Sequence, residues 1–531
     1  MKKHMTEQAQ INSIESDAQL PRNRDWRSHL FERVDIASLV LFRIAFGAVM
    51  LWHIWEYFKI GVIKADYIDP PFHFTWYWFD WVKPLPGSGM YLLYYTMGIL
   101  AACIMVGLHY RISCLLFSLL FTYCFLIDKA YYLNHYYLTC LVSLLMAFVP
   151  AHHALSIDAW MRPNLKSQTA PRWALWLMRF QIGVPYFYGG LAKLQPDWLR
   201  CQPMKIALAQ RADRFPYLGQ FFTEDWMVWF FNYGGLVFDL SIVPLLLWRK
   251  TRIPAFLAAL FFHCMNSVMF DIGYFPWFMI FATTQFFEPN WPRRVINFFW
   301  CGLGGRTIAK SSVEQQRFCS TLTPLQRWGS ALLMAYVLAQ LVIPFRHYFY
   351  QGDASWTEEG HCFAWHMMLR GKYCGVRFYA TDPETRETMV IDLRPFLTTR
   401  QMGKLGKDPH MVHDLALFLR DELARDGHPN MEIRCLDLVS MNGRKPQLLV
   451  DPQMDLSKFD RTWRRAPWLV ELHESLRDRA WLMPIAEWEQ HLDMKQLLEG
   501  TPMSQTRRKA RQSMPSGIVD DNQLSVAQGQ N

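Results

Sequence analysis

Between residues 35 and 345 the chain carries a succession of apolar stretches, each about as long as a bilayer is thick. Roughly 20 apolar residues are needed for a helix to cross the hydrocarbon core. Inside that core every backbone polar group must find its partner within the segment. Nine stretches are read this way, near 36–58, 88–108, 112–128, 133–150, 173–194, 226–248, 253–270, 272–288 and 327–345, the eighth short enough to be re-entrant. The 51% hydrophobic content therefore averages two unlike parts, because 346–531 is charged and mixed. No cleavable signal segment is visible in the polar first 34 residues, so the first span is expected to direct insertion itself.

The part after 345 alternates short β-type runs (VRFYATD, ETMVIDL, EIRCLDLVSM, PQLLVDP) with a helical patch near 408–425. The fold class expected is mainly α: a polytopic transmembrane helix bundle of about nine spans, followed by a small extracytoplasmic α+β domain. Its segments are a cytoplasmic N-terminal tail (1–34), the transmembrane domain (35–345), the α+β domain (346–499) and a disordered tail (500–531) poor in apolar residues.

Basic residues set the orientation. Arg111, then Arg162, Lys166 and Arg172, then Arg249, Lys250 and Arg252 fall on the same side as the basic N-terminus. The loop 195–225, with Arg200, Lys205, Arg211 and Arg214, disagrees. A net charge of +9 needs no nucleic acid to explain it, since no basic stripe with interleaved aromatics occurs. The 11 cysteines show no CxxC pair or ligand spacing, so no metal site is expected. Disulfides among Cys201, Cys362, Cys374 and Cys435 stay open.

Within this frame Lys193 stands out, an amine at the end of an apolar helix. Intramembrane ionisable groups mark functional sites, and burial favours a neutral amine able to take a proton. Snorkelling of the amine to the interface leaves the same pattern, so position alone does not decide. The segment DKAYYLNHYYLTCL places Asn134, His135 and Tyr136 among tyrosines. An aromatic pocket for a flat, oxygen-bearing ring and an interfacial aromatic belt both fit it. His263 and Asn266, at i and i+3, share one helix face, as a ligand pair or as core polar residues. By the nine-span count His135, Lys193 and His263 all lie in the non-cytoplasmic half. A site there would be open both to lipid and to the outer compartment.

The runs DKAYYLNHYYL, GGLAKLQPDW, FFHCMNSVMFDIGYF, SWTEEGHCFAWHMM and VSMNGRKPQLLVDP resemble, in order from about 30 to 475, the vitamin K-dependent gamma-glutamyl carboxylase family within the wider HTTM group. The resemblance implies a carbon–carbon lyase, a peptidyl-glutamate 4-carboxylase. Such enzymes use vitamin K hydroquinone (or a menaquinol-like naphthoquinol), dioxygen and carbon dioxide to make gamma-carboxyglutamate and the quinone epoxide, without a metal. Lys193 then matches the family's catalytic base, which would take a phenolic proton. His135 is the second catalytic candidate, and Asn134, Tyr136, His263 and Asn266 are cofactor-binding candidates. The implied partners are the bilayer, a Glu-containing protein or peptide and a quinone reductase, with no nucleic acid.

The chain departs from the animal pattern. Ala192 replaces the lysine next to the base, loop 59–87 lacks cysteine, and the longer C-terminal region is missing, which fits a bacterial source; the site is expected to face the non-cytoplasmic side, of an inner membrane if bacterial and of the ER if eukaryotic. Carboxylation itself is therefore open. The other readings are a quinol epoxidase that carboxylates no protein, a non-catalytic membrane protein of the same fold, and a haem carrier using His53, His135 and His263.

Overall fold

The computed structural model describes residues 29–302 and 323–503. Most of the expected cytoplasmic tail, and the segment after 503 expected to be disordered, lie outside the described residues.

Ten longer helices build the first region, α1 (Ala37–Lys59), α2 (Gly89–Val106), α3 (Tyr110–Ile127), α4 (Asn134–Phe148), α5 (Arg172–Ala192), α6 (Asp225–Leu247), α7 (Arg252–Met269), α8 (Phe275–Thr283), α9 (Trp291–Gly302) and α10 (Pro324–Val342). Each of the nine expected spans has a helix. Six are long and apolar enough to cross a membrane by length and composition: α1, α2, α3, α6, α7 and the run Pro324–Phe349 that begins with α10. The expected eighth span is the 9-residue α8, which runs into a single 3-10 turn. α4 has 15 residues, and α5 has 21 but carries Arg179 and Gln181. Arg179 donates to the carbonyls of Gln285 and Phe287 at 2.7 and 2.8 Å, so its charge is spent on the backbone where α8's turn ends.

The basic loop that disagreed with the charge rule is internally compensated. Lys205 pairs with Asp225 at 3.6 Å and Arg214 with Asp271 at 3.2 Å. Arg211 donates to the Met269 carbonyl at 2.8 Å and lies over the Phe270 ring. These contacts hold three of the loop's four cations, but acidic partners carry little weight in the positive-inside rule, so the loop stays an exception to it.

A second, four-stranded antiparallel sheet forms the C-terminal domain, in the order β4 (Thr388–Ile391), β3 (Lys372–Thr381), β5 (Glu432–Met441), β6 (Gln447–Leu448). A two-stranded ribbon of β1 (Arg33–Asp35) and β2 (Thr169–Pro171) precedes it in the first region. β3 and β5 pair along their full lengths, from Lys372 opposite Met441 to Thr381 opposite Glu432. Alternation decides which residues face which layer. Phe378, Ala380, Ile433 and Cys435 meet Val412, Leu415 and Leu419 of α12 (Pro409–Arg425), which follows the short α11 (Thr399–Leu405). Tyr379, Leu436 and Leu438 meet Trp488 and Leu492 on the other face. The four cysteines for which disulfides stayed open, Cys201, Cys362, Cys374 and Cys435, are all free thiols.

Charged pairs seat the two regions on each other. Lys129 meets Asp414 at 3.0 Å, Arg400 meets Asp66 at 2.9 Å, and Gln401 donates to Asp128 at 2.8 Å. Asp197 takes both arms of Arg444 at 2.6 and 2.8 Å and the amide of Asn442 at 2.7 Å. Burial opposes ionisation of Asp197, yet Arg444 and Asn442 hold its carboxyl below the usual carboxylate range. Two of the quoted runs, GGLAKLQPDW and VSMNGRKPQLLVDP, therefore meet in space through Asp197 and Arg444.

Candidate functional site

Lys193 caps the C-terminal end of α5, with Pro196 starting the next turn. Expected to be a lone amine, it is paired. Its Nζ lies 2.6 Å from Asp239 Oδ2 and donates to the Gly189 carbonyl at 3.2 Å. Both side chains are buried, at 7% and 6% exposed. Small residues bring the two helices close enough. A Cβ on Gly190 would sit 2.8 Å from Leu240 Cδ2 and 3.0 Å from its backbone nitrogen, so a larger residue would push α6 and Asp239 away from α5. Trp198 covers the amine from another side, its ring centre 5.1 Å from Nζ.

The space over Gly189 belongs to Met367. A Cβ built there would lie 2.7 Å from Met367 Cε, 3.6 Å from Asp239 Oδ2 and 3.9 Å from Lys193 Nζ. The methionine methyl thus packs on Gly189, next to the Lys193–Asp239 pair. Chain neighbours of Lys193 and of Met367 line a cavity of about 390 Å³, whose walls include Leu191, Ala192 and Leu194 together with Phe345, Ala364 and Leu369. Its polar groups are His347, His366, Gln195, Asp353, Ser355 and the hydroxyls of Tyr188, Tyr348 and Tyr350. Concave pockets that join apolar and aromatic walls to convergent polar groups are the usual form of a small-molecule site.

His263 is buried, and its Nε2 lies 2.6 Å from the Tyr186 hydroxyl. Its Nδ1 is buried and without a hydrogen-bond partner, as is Nδ1 of His366. Buried imidazole nitrogens are ordinarily satisfied, so these two hold unused hydrogen-bonding capacity. His135 is the second residue of α4 and stacks on Phe275 at 5.2 Å, and Phe275 in turn meets His263 edge-on at 6.3 Å. A continuous row of rings therefore runs from His135 through Phe275 to His263 and Tyr186. Tyr186 is two turns before Lys193 on α5, within electrostatic reach of Asp239.

Two expected cofactor contacts are engaged within the protein. The Asn134 amide donates to the His366 carbonyl at 2.9 Å, and its oxygen accepts from the Tyr132 hydroxyl at 2.9 Å. The Tyr136 hydroxyl bonds that of Tyr57. Asn266 is half-buried on α7, one turn after His263. Asp239, Tyr186, Phe275 and Met367 were not singled out in the sequence. For Asp239 a signal was there, a carboxylate in the middle of the apolar run DWMVWFFNYGGLVFDLSIVPLLL.

A helix bundle with a buried Lys–Asp pair at its end, roofed by a separate α+β domain, defines a membrane-embedded class of protein. The family model for the HTTM domain matches residues 31–291, and that for the vitamin K-dependent gamma-carboxylase lumenal domain matches 325–475. The chain belongs to the vitamin K-dependent gamma-glutamyl carboxylase family. No solved structure matches it.

Proposed function

We propose that this chain is a vitamin K-dependent gamma-glutamyl carboxylase whose proton acceptor is the Lys193–Asp239 pair. The observation that carries the reading is that pair, buried next to Met367 beside the 390 Å³ cavity. The residues fit a quinol. Aromatic and aliphatic walls suit a fused ring and its lipophilic tail, and the unpartnered Nδ1 of His366 on the cavity wall suits a ring oxygen. When bound, a vitamin K hydroquinone supplies, on oxidation by dioxygen, a base strong enough to take a glutamate γ-proton, which no side chain can do.

The chain's own residues prepare that chemistry. Lys193 and Asp239 hold one proton between them across 2.6 Å and accept a phenolic proton as a unit rather than through the amine alone. Trp198 and Met367 exclude water from the pair, which strengthens each interaction there. His263, held by Tyr186, turns a free ring nitrogen toward a cofactor oxygen, and His135 is fixed by Phe275. Asn134 acts on the cofactor through the loop it holds at His366, Tyr136 stands behind His135, which it meets edge-on, and Asn266 supports His263 from the next turn of α7. Carbon dioxide and a Glu-containing peptide are the co-substrates, reached from the non-cytoplasmic side, and a quinone reductase would regenerate the quinol.

The test uses purified protein in lipid nanodiscs with reduced vitamin K, dioxygen, labelled bicarbonate and a Glu peptide. Fixed label and epoxide should both form, and Lys193→Ala should lose both. Epoxide without fixed label would replace the carboxylase reading with a quinol epoxidase. Neither product, over a range of quinols, would sink both.

A further inference from the structure

Written in balance, the proposed reaction converts quinol and dioxygen into epoxide and water. It also converts a glutamate γ-C–H and carbon dioxide into a carboxylate and one proton. Each turnover therefore has a proton to export from a site enclosed by helices and roofed by a second domain.

Behind His135 lies a second cavity, of about 20 Å³, whose polar lining is His53, Tyr57, Tyr67, Tyr94, Tyr131 and Tyr136. About 10–15 Å³ of such volume holds one water, provided polar partners surround it. One end of this lining faces the site. His53 packs on Tyr274 at 4.3 Å, the Tyr274 hydroxyl bonds Thr139 at 2.8 Å and the His135 carbonyl at 3.3 Å, and Tyr136 meets the His135 ring edge-on at 4.8 Å. The other end faces the domain interface. Tyr131 lies under the Arg400 guanidinium at 4.7 Å, and Arg400 pairs with Asp66 at 2.9 Å, with side chains 33% and 12% exposed. Between the ends the Tyr57 and Tyr136 hydroxyls are bonded to each other, and His53 lies 4.4 Å from Tyr57, ring to ring. An apolar interior needs none of these groups. A row of hydroxyls and an imidazole from the back of the site to an ion pair at the domain interface is what stepwise proton transfer requires.

We propose that this cavity holds a water which, with His53, Tyr57 and Tyr136, carries protons from the His135 side of the site to Asp66 and Arg400 at the domain interface. The proposal rests on the carboxylase reading above. Its residues touch neither quinol nor peptide and act as a relay.

Tyr57→Phe, and separately Cys124→Ile, which fills the cavity from its wall and removes no hydroxyl, should lower kcat for epoxide formation on the order of tenfold. KM for the quinol should stay unchanged, the solvent deuterium effect on kcat should rise, and imidazole buffer should restore the rate. A loss of packing alone would move the thermal midpoint and would not respond to buffer. Infrared difference spectra of the resting protein in ¹⁸O-water should show a buried-water band that Cys124→Ile removes. Turnover by the wild type with both variants unaffected, a loss that buffer cannot restore, or no such band overturns the relay alone. No turnover by the wild type overturns the carboxylase reading and the relay with it.

Discussion

Two buried ionic groups, one in each region, are built on opposite plans. In the C-terminal domain Glu358 is saturated. Arg370 grips both its oxygens, Lys372 reaches it at 2.7 Å and His361 at 3.0 Å, and Lys372 also donates to the carbonyls of Trp356 and Lys407. In the membrane region Asp239 meets one cation, and Lys193 gains one carbonyl besides. A fully satisfied network fixes a structure. A pair with spare lone pairs and a cavity beside it still has hydrogen-bonding capacity to offer a ligand. The strained loop between them joins the two plans. Glu358, Phe363, Trp365 and Met368 have φ of 60°, 65°, 60° and 60°, conformations that non-glycine residues hold only under outside constraint. Glu358 anchors one end of that loop, and Met367 near the other lies next to Lys193.

The sharpest break of the comparison is Asp239→Asn. The amide keeps the shape and still takes the lysine's hydrogen bond, but it cannot hold the proton. Epoxide formation should fall between about 10² and 10⁴-fold, the range of positioned acid–base catalysis. The thermal midpoint should fall as well, because Lys193 loses the counter-charge it is buried with. A variant within a few-fold of wild type would show that Lys193 works without its partner.

Glu358→Gln tests the opposite plan. It leaves Arg370 and Lys372 buried without their counter-charge, which costs about 3–5 kcal/mol. Chemical unfolding of the variant should show that loss, and any fall in activity should follow from it. Burial alone would raise the Glu358 carboxyl. Arg370, Lys372 and His361 outweigh it and hold the group well below the usual carboxylate range. The stabilisation is therefore present above the unfolded value near pH 4.3 and is lost only as pH falls through the depressed folded one. Stability of the wild type should not respond to Glu358 between pH 5 and 8.

Asn134→Ala cuts the link between the two plans. It frees the His366 carbonyl and the Tyr132 hydroxyl, which itself accepts from the Phe363 amide at 2.7 Å. Leaving such groups unpaired costs about 1–3 kcal/mol. If Asn134 works by holding the loop, KM for the quinol should rise more than kcat falls. A pure kcat effect would favour direct contact with the cofactor.

Much of this was legible in the sequence, for reasons that differ by region. The run EIRCLDLVSM coincides with β5 because period-two alternation and β-branched residues act locally. Lys193 was legible because a cation in an apolar helix is rare. Its partner was not singled out, because which face of α6 meets α5 depends on the Gly190–Leu240 contact, a non-local matter. The loop over the site was equally hidden. Of its left-handed positions only Gly360 carries a turn signature; Glu358, Phe363, Trp365 and Met368 do not. The span count was softest at α8, since apolar content alone does not separate a 9-residue helix and its turn from a full crossing.

The smallest expected effect separates a cluster built for stability from one that tolerates its charge. Lys404 on α11 is half-buried, and burial first, then Lys407, Arg370 and Arg400, push its amine down to about 7. The unfolded chain keeps that proton up to about pH 10.4. Between roughly pH 7 and 10 the unfolded state therefore binds more protons at this site, and stability from Lys404 rises with pH across that window. Below pH 7 both states are protonated and the cost of the buried charge is at its full value. Lys404→Met should then stabilise the protein at pH 6 by about 0.5–2 kcal/mol, typical of removing a misplaced charge. The gain should shrink as pH approaches 10. Equal gains at pH 6 and pH 9.5 would mean that Lys404 keeps its proton throughout, compensated as Lys372 is by Glu358.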